Sequence, residues 1–327
     1  MSPVNNHMGR QPATPKEKNK MATQTPHETL ERLGALTFGT ELEYNRISRD
    51  KAARAIQSVV GGTVEYAGNR IGYDAWTCTA PDGRVWKAVR DGSLGGEHAE
   101  VVTPILKLGD LETLQKVVRA LRAAGAKATS QGGMHVHVGA AQMSATQLGN
   151  LVKLFYRQEE LIVKAAKTLE SRRTYTRPTD REFLARMERR HPKTMEQLNL
   201  AWFGYRNLHP DHYDNHRYRT LNLNNLWGSK RTVEFRFFNA TTHAGEVRTN
   251  ILLCLAMVAK AMTAKAASAS QQRPYDARTA KYDLRTFLLR IGFIGDFFKN
   301  PRKHLLGHLG GSAAWKGERR DGARARA

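Results

Sequence analysis

The sequence predicts an α+β fold, and three observations carry that prediction. Short segments between residues 36 and 240 alternate apolar and polar residues with the period of two that marks a half-buried strand. Other segments space their apolar residues three and four apart, the mark of an amphipathic helix. The chain has 327 residues, 40% of them hydrophobic, enough for one large domain with a sizeable core or a main domain with a helical annex.

Residues 1–33 are polar and rich in Pro, Thr, Lys and Asn, the composition of a disordered or loosely attached segment. The folded part is expected to begin near Leu36. From there Leu36, Phe38, Leu42 and Tyr44 fall on one strand face, with Thr37, Gly39, Glu41 and Glu43 on the other. Strand candidates follow at 63–67, 71–78, 84–90 and 98–104, divided by turn signals such as Pro81-Asp82-Gly83 and Asp91-Gly92. An amphipathic helix spans 108–125, with Asp110 as N-cap and Gly125 as its stop. Residues 134–139 alternate again. Ser144 opens a long helix to about Leu169, and a second helix covers 180–200. Residues 217–227 and 231–240 read as an antiparallel pair turning at Gly228-Ser229, and 246–268 and 281–298 read as helices. The expected organisation is one domain over 34–300, with a helical annex at about 144–200, C-terminal helices over 246–298 and a basic tail at 301–327.

The formal net charge of +22 is the least ordinary bulk feature. It is uneven: residues 164–193 hold ten Lys/Arg against four Asp/Glu, and 299–327 hold eight against two. The first stretch reads as a helix–loop–helix with a solvated basic face and the second as a tail. Both would attract polyanions, nucleic acid included. No apolar run approaches the roughly 20 residues that span a bilayer. The polar N-terminus lacks an apolar signal segment, and Cys78 and Cys254 form no CxxC pattern and no disulfide framework. The expected compartment is the cytoplasm.

Three clusters carry chemistry. Glu41 and Glu43 share a strand face, where bare carboxylates repel and a divalent cation relieves them. His135 and His137 share another, as imidazoles that hold a metal or phosphate oxygens. Glu234 and Arg236 share a third, opposite Val233, Phe235 and Phe237, and Arg is suited to bidentate phosphate contact. Taken singly, each has an ordinary reading: a wet sheet face, a satisfied histidine pair, a cross-sheet ion pair. Asp91-Gly92-Ser93-Leu94 adds a tight turn, Glu100 a carboxylate in an apolar strand, and Arg217 and Arg219 two guanidiniums near Asn222 and Asn224. Together they suit divalent cations around a triphosphate, with no Walker-type loop in the chain.

The order ExE (41–43), DGSL (91–94), EVVTP (100–104), GMHVH (133–137) and EFR (234–236) resembles the carboxylate–amine ligase superfamily of glutamine synthetase and glutamate–cysteine ligase, most closely its amidoligase branch, over roughly residues 35–240. The resemblance implies a curved, mainly antiparallel catalytic sheet of glutamine-synthetase type flanked by helices. It implies ATP and two or more Mg²⁺ or Mn²⁺ ions, with Glu41, Glu43, Glu100, His135 and Glu234 as metal ligands. His137, Arg236 and either Arg217 or Arg219 would meet the phosphates, and Asp91 or Glu97 would take the amine's proton. The implied reaction joins a small-molecule or peptide carboxylate to an amine through an acyl phosphate. Two other readings stay open: a metal-dependent phosphotransferase on a related sheet, and a basic nucleic-acid-binding protein.

Overall fold

The computed structural model describes residues 25–68, 74–211, 213–265 and 271–316. Among the described residues nine strands form one open sheet: β1 (Thr37–Asn45), β2 (Thr63–Gly68), β3 (Ala75–Thr79), β4 (Val85–Val89), β5 (His98–Val102), β6 (Leu106–Lys107), β7 (Gly133–Gly139), β8 (Leu221–Asn222) and β9 (Thr232–Asn239). Their order is β2-β3-β4-β5-β1-β7-β9-β8, with β6 paired to β1, and every pairing between them is antiparallel. Early hairpins build one wing; β1, at the centre, receives β7 only after a helical excursion.

The helices are α1 (Pro26–Gly34), α2 (Arg49–Val60), α3 (Leu111–Ala123), α4 (Ala145–Ala165), α5 (Arg181–Arg190), α6 (Met195–Phe203), α7 (Ala244–Thr263), α8 (Ala280–Arg290) and α9 (Lys299–Leu306). Phe38, Leu42 and Tyr44 of β1 join Met134, Val136 and Val138 of β7 and Val233, Phe235 and Phe237 of β9 in one core with Leu114, Val118, Leu148, Phe155, Ile251 and Leu255 of the helices. Burying such a side chain contributes roughly 1.5–3 kcal/mol. A one-residue slip of β1 or β7 would bury Glu41, Glu43, His135 and His137 among those apolar groups. The hydrophobic alternation therefore fixes which face carries the charged residues. None of the described helices is long and apolar enough to cross a membrane, and Cys78 and Cys254 are buried free thiols.

Several elements differ from expectation, each for a local reason. The loose segment expected to residue 33 ends by Thr25, which closes a capping box with Glu28 and starts α1, whose Leu33 is fully buried; residues 1–24 lie outside the described residues. The helix from Ser144 is capped by Ser144 and Gln147 as expected but stops at Ala165. The expected helix over 180–200 is two, because His191 turns to φ 42° and Pro192 removes a donor, and Thr194 caps a new start. Residues 217–227 supply only a two-residue strand, Leu221–Asn222, between 3₁₀ turns at Asn215–Arg217 and Asn224–Leu226. The helix over 281–298 breaks after Arg290, where Gly292 and Gly295 adopt positive φ. The basic segment after residue 300 begins as α9, with Pro301, Leu305 and Leu309 buried; 317–327 lie outside the described residues. Within the basic run 164–193, Arg172 is buried instead of solvated.

Candidate active site

Sheet register brings the charged residues together. Across β1 and β5 Glu43 faces Glu100; across β1 and β7 Glu41 faces His135; across β7 and β9 His137 faces Glu234; and Glu234 faces Asn222 of β8. Directly opposed residues on one face approach within about 5 Å at Cβ. A bulge in β9 leaves Arg236 and Phe237 together opposite His135, since Met134 pairs with Phe238 and Val136 with Phe235. Such a bulge re-aims a side chain, here Arg236, whose Nη1 donates to Glu234 Oε1.

His135 Nδ1 lies 3.1 Å from Glu41 Oε2 and 3.7 Å from Glu234 Oε1, and its Nε2 lies 3.5 Å from Glu43 Oε1. His137 Nε2 lies 3.2 Å from Glu41 Oε1 and 3.8 Å from Glu234 Oε1. Asn222 and Asn225 donate their amides to Glu234 Oε2 at 2.7 and 3.1 Å. The backbone N–H of Gly133 donates to Glu43 Oε2 at 2.7 Å. Glu43, His135, His137, Glu234 and Arg236 are all buried.

Electrostatics separate the carboxylates into two kinds. Burial pushes Glu41 up, but the neighbouring His137 ring and hydrogen bonds from His135 and His137 hold it well below the usual range. Burial opposes ionisation of Glu234 as well, yet Arg236 and His137 outweigh it and leave Glu234 at about 2. Glu100 goes the other way: burial first, then the charges of Glu41, Glu43 and Asp91, push it well above the usual range. Asp91 is hydrogen-bonded to Glu100 and accepts from the N–H and hydroxyl of Ser93, each at 2.5 Å. So many acidic groups on one face call for a cation.

The donors present fit a divalent ion. Glu41, His135 and Glu234 each offer a ligand atom within 4.8 Å of the other two. Arg172 Nε and Arg236 Nε are buried without a hydrogen-bond partner among the described residues, as expected of groups that meet an anion beside such an ion.

Two cations absent from the sequence reading belong to this face. Arg172 is 4% exposed; its Nη1 lies 4.0 Å from Glu43 Oε2 and its Nη2 donates to the Arg236 carbonyl at 3.3 Å. Its guanidinium rests on Gly133, where an added Cβ would lie 2.0 Å from Nη2. Lys230 Nζ lies 3.3 Å from Glu41 Oε1, and that charge raises the ammonium's pKa against its desolvation. Arg172 follows α4 in a 3₁₀ turn, off every alternating strand, so periodicity cannot find it; the glycine pair before Met134 is its only trace.

The structure does not bring every expected residue here. Arg219 donates to the Pro178 carbonyl at 3.0 Å and lies 3.8 Å from Asp180, beside the buried Glu159. Arg217 sits in the 3₁₀ turn with its guanidinium 5.7 Å over the Tyr218 ring. Glu97 is exposed, and its carbonyl accepts from the Arg46 N–H. The strand at 221–222 starts too late to include either: Arg217 lies in the preceding 3₁₀ turn, and Arg219 forms an isolated parallel bridge with Arg177.

No curated protein matches the chain. The family described as "putative amidoligase enzyme" matches residues 34–258, from the end of α1 into α7, and the match contains every residue of the charged face. Most of the chain is covered, so the protein belongs to this amidoligase family, a family of ligases.

Proposed function

We propose that the protein is an ATP-dependent carboxylate–amine ligase whose nine-stranded sheet is of glutamine-synthetase type. The observation that carries this reading is the convergence of Glu41, His135 and Glu234 with the buried guanidiniums of Arg172 and Arg236 on one sheet face. Carboxylates for hard cations beside arginines for phosphoryl oxygens are the parts phosphoryl transfer requires. Family membership supports the amide-forming direction.

In this reading Glu41, Glu43, Glu100, His135 and Glu234 hold Mg²⁺ or Mn²⁺, which neutralises the triphosphate's charge when bound. His137, Arg172 and Arg236 donate to phosphoryl oxygens, replacing the Arg217 and Arg219 of the sequence reading. Transfer of ATP's γ-phosphoryl to a substrate carboxylate yields ADP and an acyl phosphate. The amine nitrogen then attacks the acyl carbon, the C–O bond to phosphate breaks, and the amine's proton leaves to a base. Asp91, hydrogen-bonded to Glu100 at the edge of the face, is the base we assign.

The test is incubation with ATP, Mg²⁺ and pools of amino acids, peptides and polyamines, reading ADP and new masses, with hydroxylamine replacing the amine in parallel. Substrate-dependent ADP with a hydroxamate supports the ligase. A stable phosphorylated product with no hydroxamate would make the protein a phosphotransferase instead.

A further inference from the structure

A second cluster of histidine and carboxylate side chains lies on the other side of the sheet. Its helix α7 packs there against β7, with Asn250 Nδ2 donating to Met134 Sδ at 3.6 Å, on the face opposite His135. His243 precedes α7, Glu246 lies in its first turn, and His304 comes from α9, which packs on α7. The three residues each present a ligand atom within 4.8 Å of the other two.

Two features show that the two rings converge. They pack edge to face with centroids 5.1 Å apart. Between them stands Gly245, where an added Cβ would lie 3.0 Å from His304 Nε2 and 3.2 Å from His243 Nδ1. Both nitrogens therefore lie close to one point above a residue with no side chain. Gly245 has no positive φ, so its backbone does not require glycine; the two rings crowd the space a Cβ would take.

The plain alternative is that His243 is an N-cap, since its Nδ1 accepts from the Glu246 N–H at 3.1 Å. That N–H, however, also reaches the His243 carbonyl at 2.9 Å, and the Val247 N–H reaches the same carbonyl at 3.1 Å. Withdrawing Nδ1 leaves no orphaned donor. Thr241 Oγ1 donates to Glu246 Oε2 at 2.6 Å, which orients the carboxylate and leaves Oε1 for an ion. A cavity of about 130 Å³ opens beside Glu246 and His304, with His308, Asn250 and Lys167 on its wall.

We propose that His243, Glu246 and His304 form a site for a zinc-class first-row divalent ion, separate from the carboxylate face and open to this cavity. Two imidazoles and one carboxylate are the borderline donors that select Zn²⁺ over Mg²⁺. Ligands about 2.0–2.1 Å from a tetrahedral ion stand about 3.4 Å apart, so small ring rotations close the set. Three protein ligands leave a fourth position, and the cavity gives it access to water or a small anion.

The experiment uses the full chain stripped with chelator, then titrated with Zn²⁺ in competition with a chromophoric chelator and with Co²⁺ read by its visible absorption. His304→Ala and Gly245→Ala test the site from opposite sides, so a folding failure in one leaves the other, and Glu41→Gln removes a ligand of the sheet cluster. The expected result is Zn²⁺ binding, with a Co²⁺ ligand-field band, that persists in Glu41→Gln and weakens more than about tenfold in both His304→Ala and Gly245→Ala. Equal affinity in wild type, His304→Ala and Gly245→Ala overturns the proposal, as does Zn²⁺ uptake that Glu41→Gln abolishes.

Discussion

Glu41 and His135 face each other across β1 and β7, with His135 Nδ1 3.1 Å from Glu41 Oε2. This contact lies on the polar side of strands whose other side is packed with Phe38, Leu42, Met134 and Val136. Apolar alternation thus sets the register, and the register sets the site. The cluster's position is a consequence of how the core packs.

That coupling gives Glu234 a structural role beside the metal-ligating one proposed for it. Replacing it with Gln leaves the Arg236 guanidinium buried with its ion pair lost, a situation that costs about 3–5 kcal/mol. We expect Glu234→Gln to lower the denaturation midpoint clearly while far-ultraviolet circular dichroism stays native at low denaturant. Substrate-dependent ADP release should be abolished. Unchanged turnover in a folded variant would remove Glu234 from the mechanism.

Gly133→Ala offers a test that changes no charge. Its Cβ would intrude 2.0 Å from Arg172 Nη2, so the guanidinium must leave its place beside Glu43. The expected outcome is a fall in kcat of about 10²-fold, matching Arg172→Ala, in line with the loss of one preorganised donor to developing charge. Steady-state kinetics of both variants check this. Wild-type kcat in Arg172→Ala would assign that buried arginine to folding alone.

The pH dependence of the metal-free protein follows from opposed shifts. Glu234 falls from an ordinary 4.5 to about 2 in the fold, so its contribution is present above about 4.5 and is lost as pH falls toward 2. That contribution is roughly 3 kcal/mol. Glu100 is raised, so its contribution is complete below its ordinary value and is lost as pH rises through its folded one. Thermal melts of chelator-treated protein should show an acid-side loss that flattens in Glu234→Gln. Divalent-ion affinity should rise with pH as Glu100 gives up its proton, and Glu100→Gln should blunt that rise.

The sheet and most of this face were legible because both rest on period-two alternation. Glu41, Glu43, His135, His137, Glu234 and Arg236 each sit opposite an apolar neighbour, so a side chain's face follows from its parity. Turn-rich stretches were not legible in the same way. The segment carrying Arg217 and Arg219 alternates on paper but supplies only a two-residue strand after a 3₁₀ turn, and Arg219 bridges Arg177 and lies beside Asp180 instead. Arg172 arrives from outside the sheet, and its fit against Gly133 and the Arg236 carbonyl is a tertiary contact with no periodic signature. The His243–Glu246–His304 cluster joins residues about sixty positions apart on two helices, again a contact that only packing creates.

The most direct measurement is Mn²⁺ binding by electron paramagnetic resonance on His304→Ala protein, which lacks the second site, with and without Glu41→Gln. Mn²⁺ should bind the Glu41-containing protein, tightened by ATP and displaced by Mg²⁺, and should stay free once Glu41 is Gln. Identical spectra for the two proteins would mean that the facing pair of Glu41 and His135 holds no cation, and the ligase mechanism built on it would not stand.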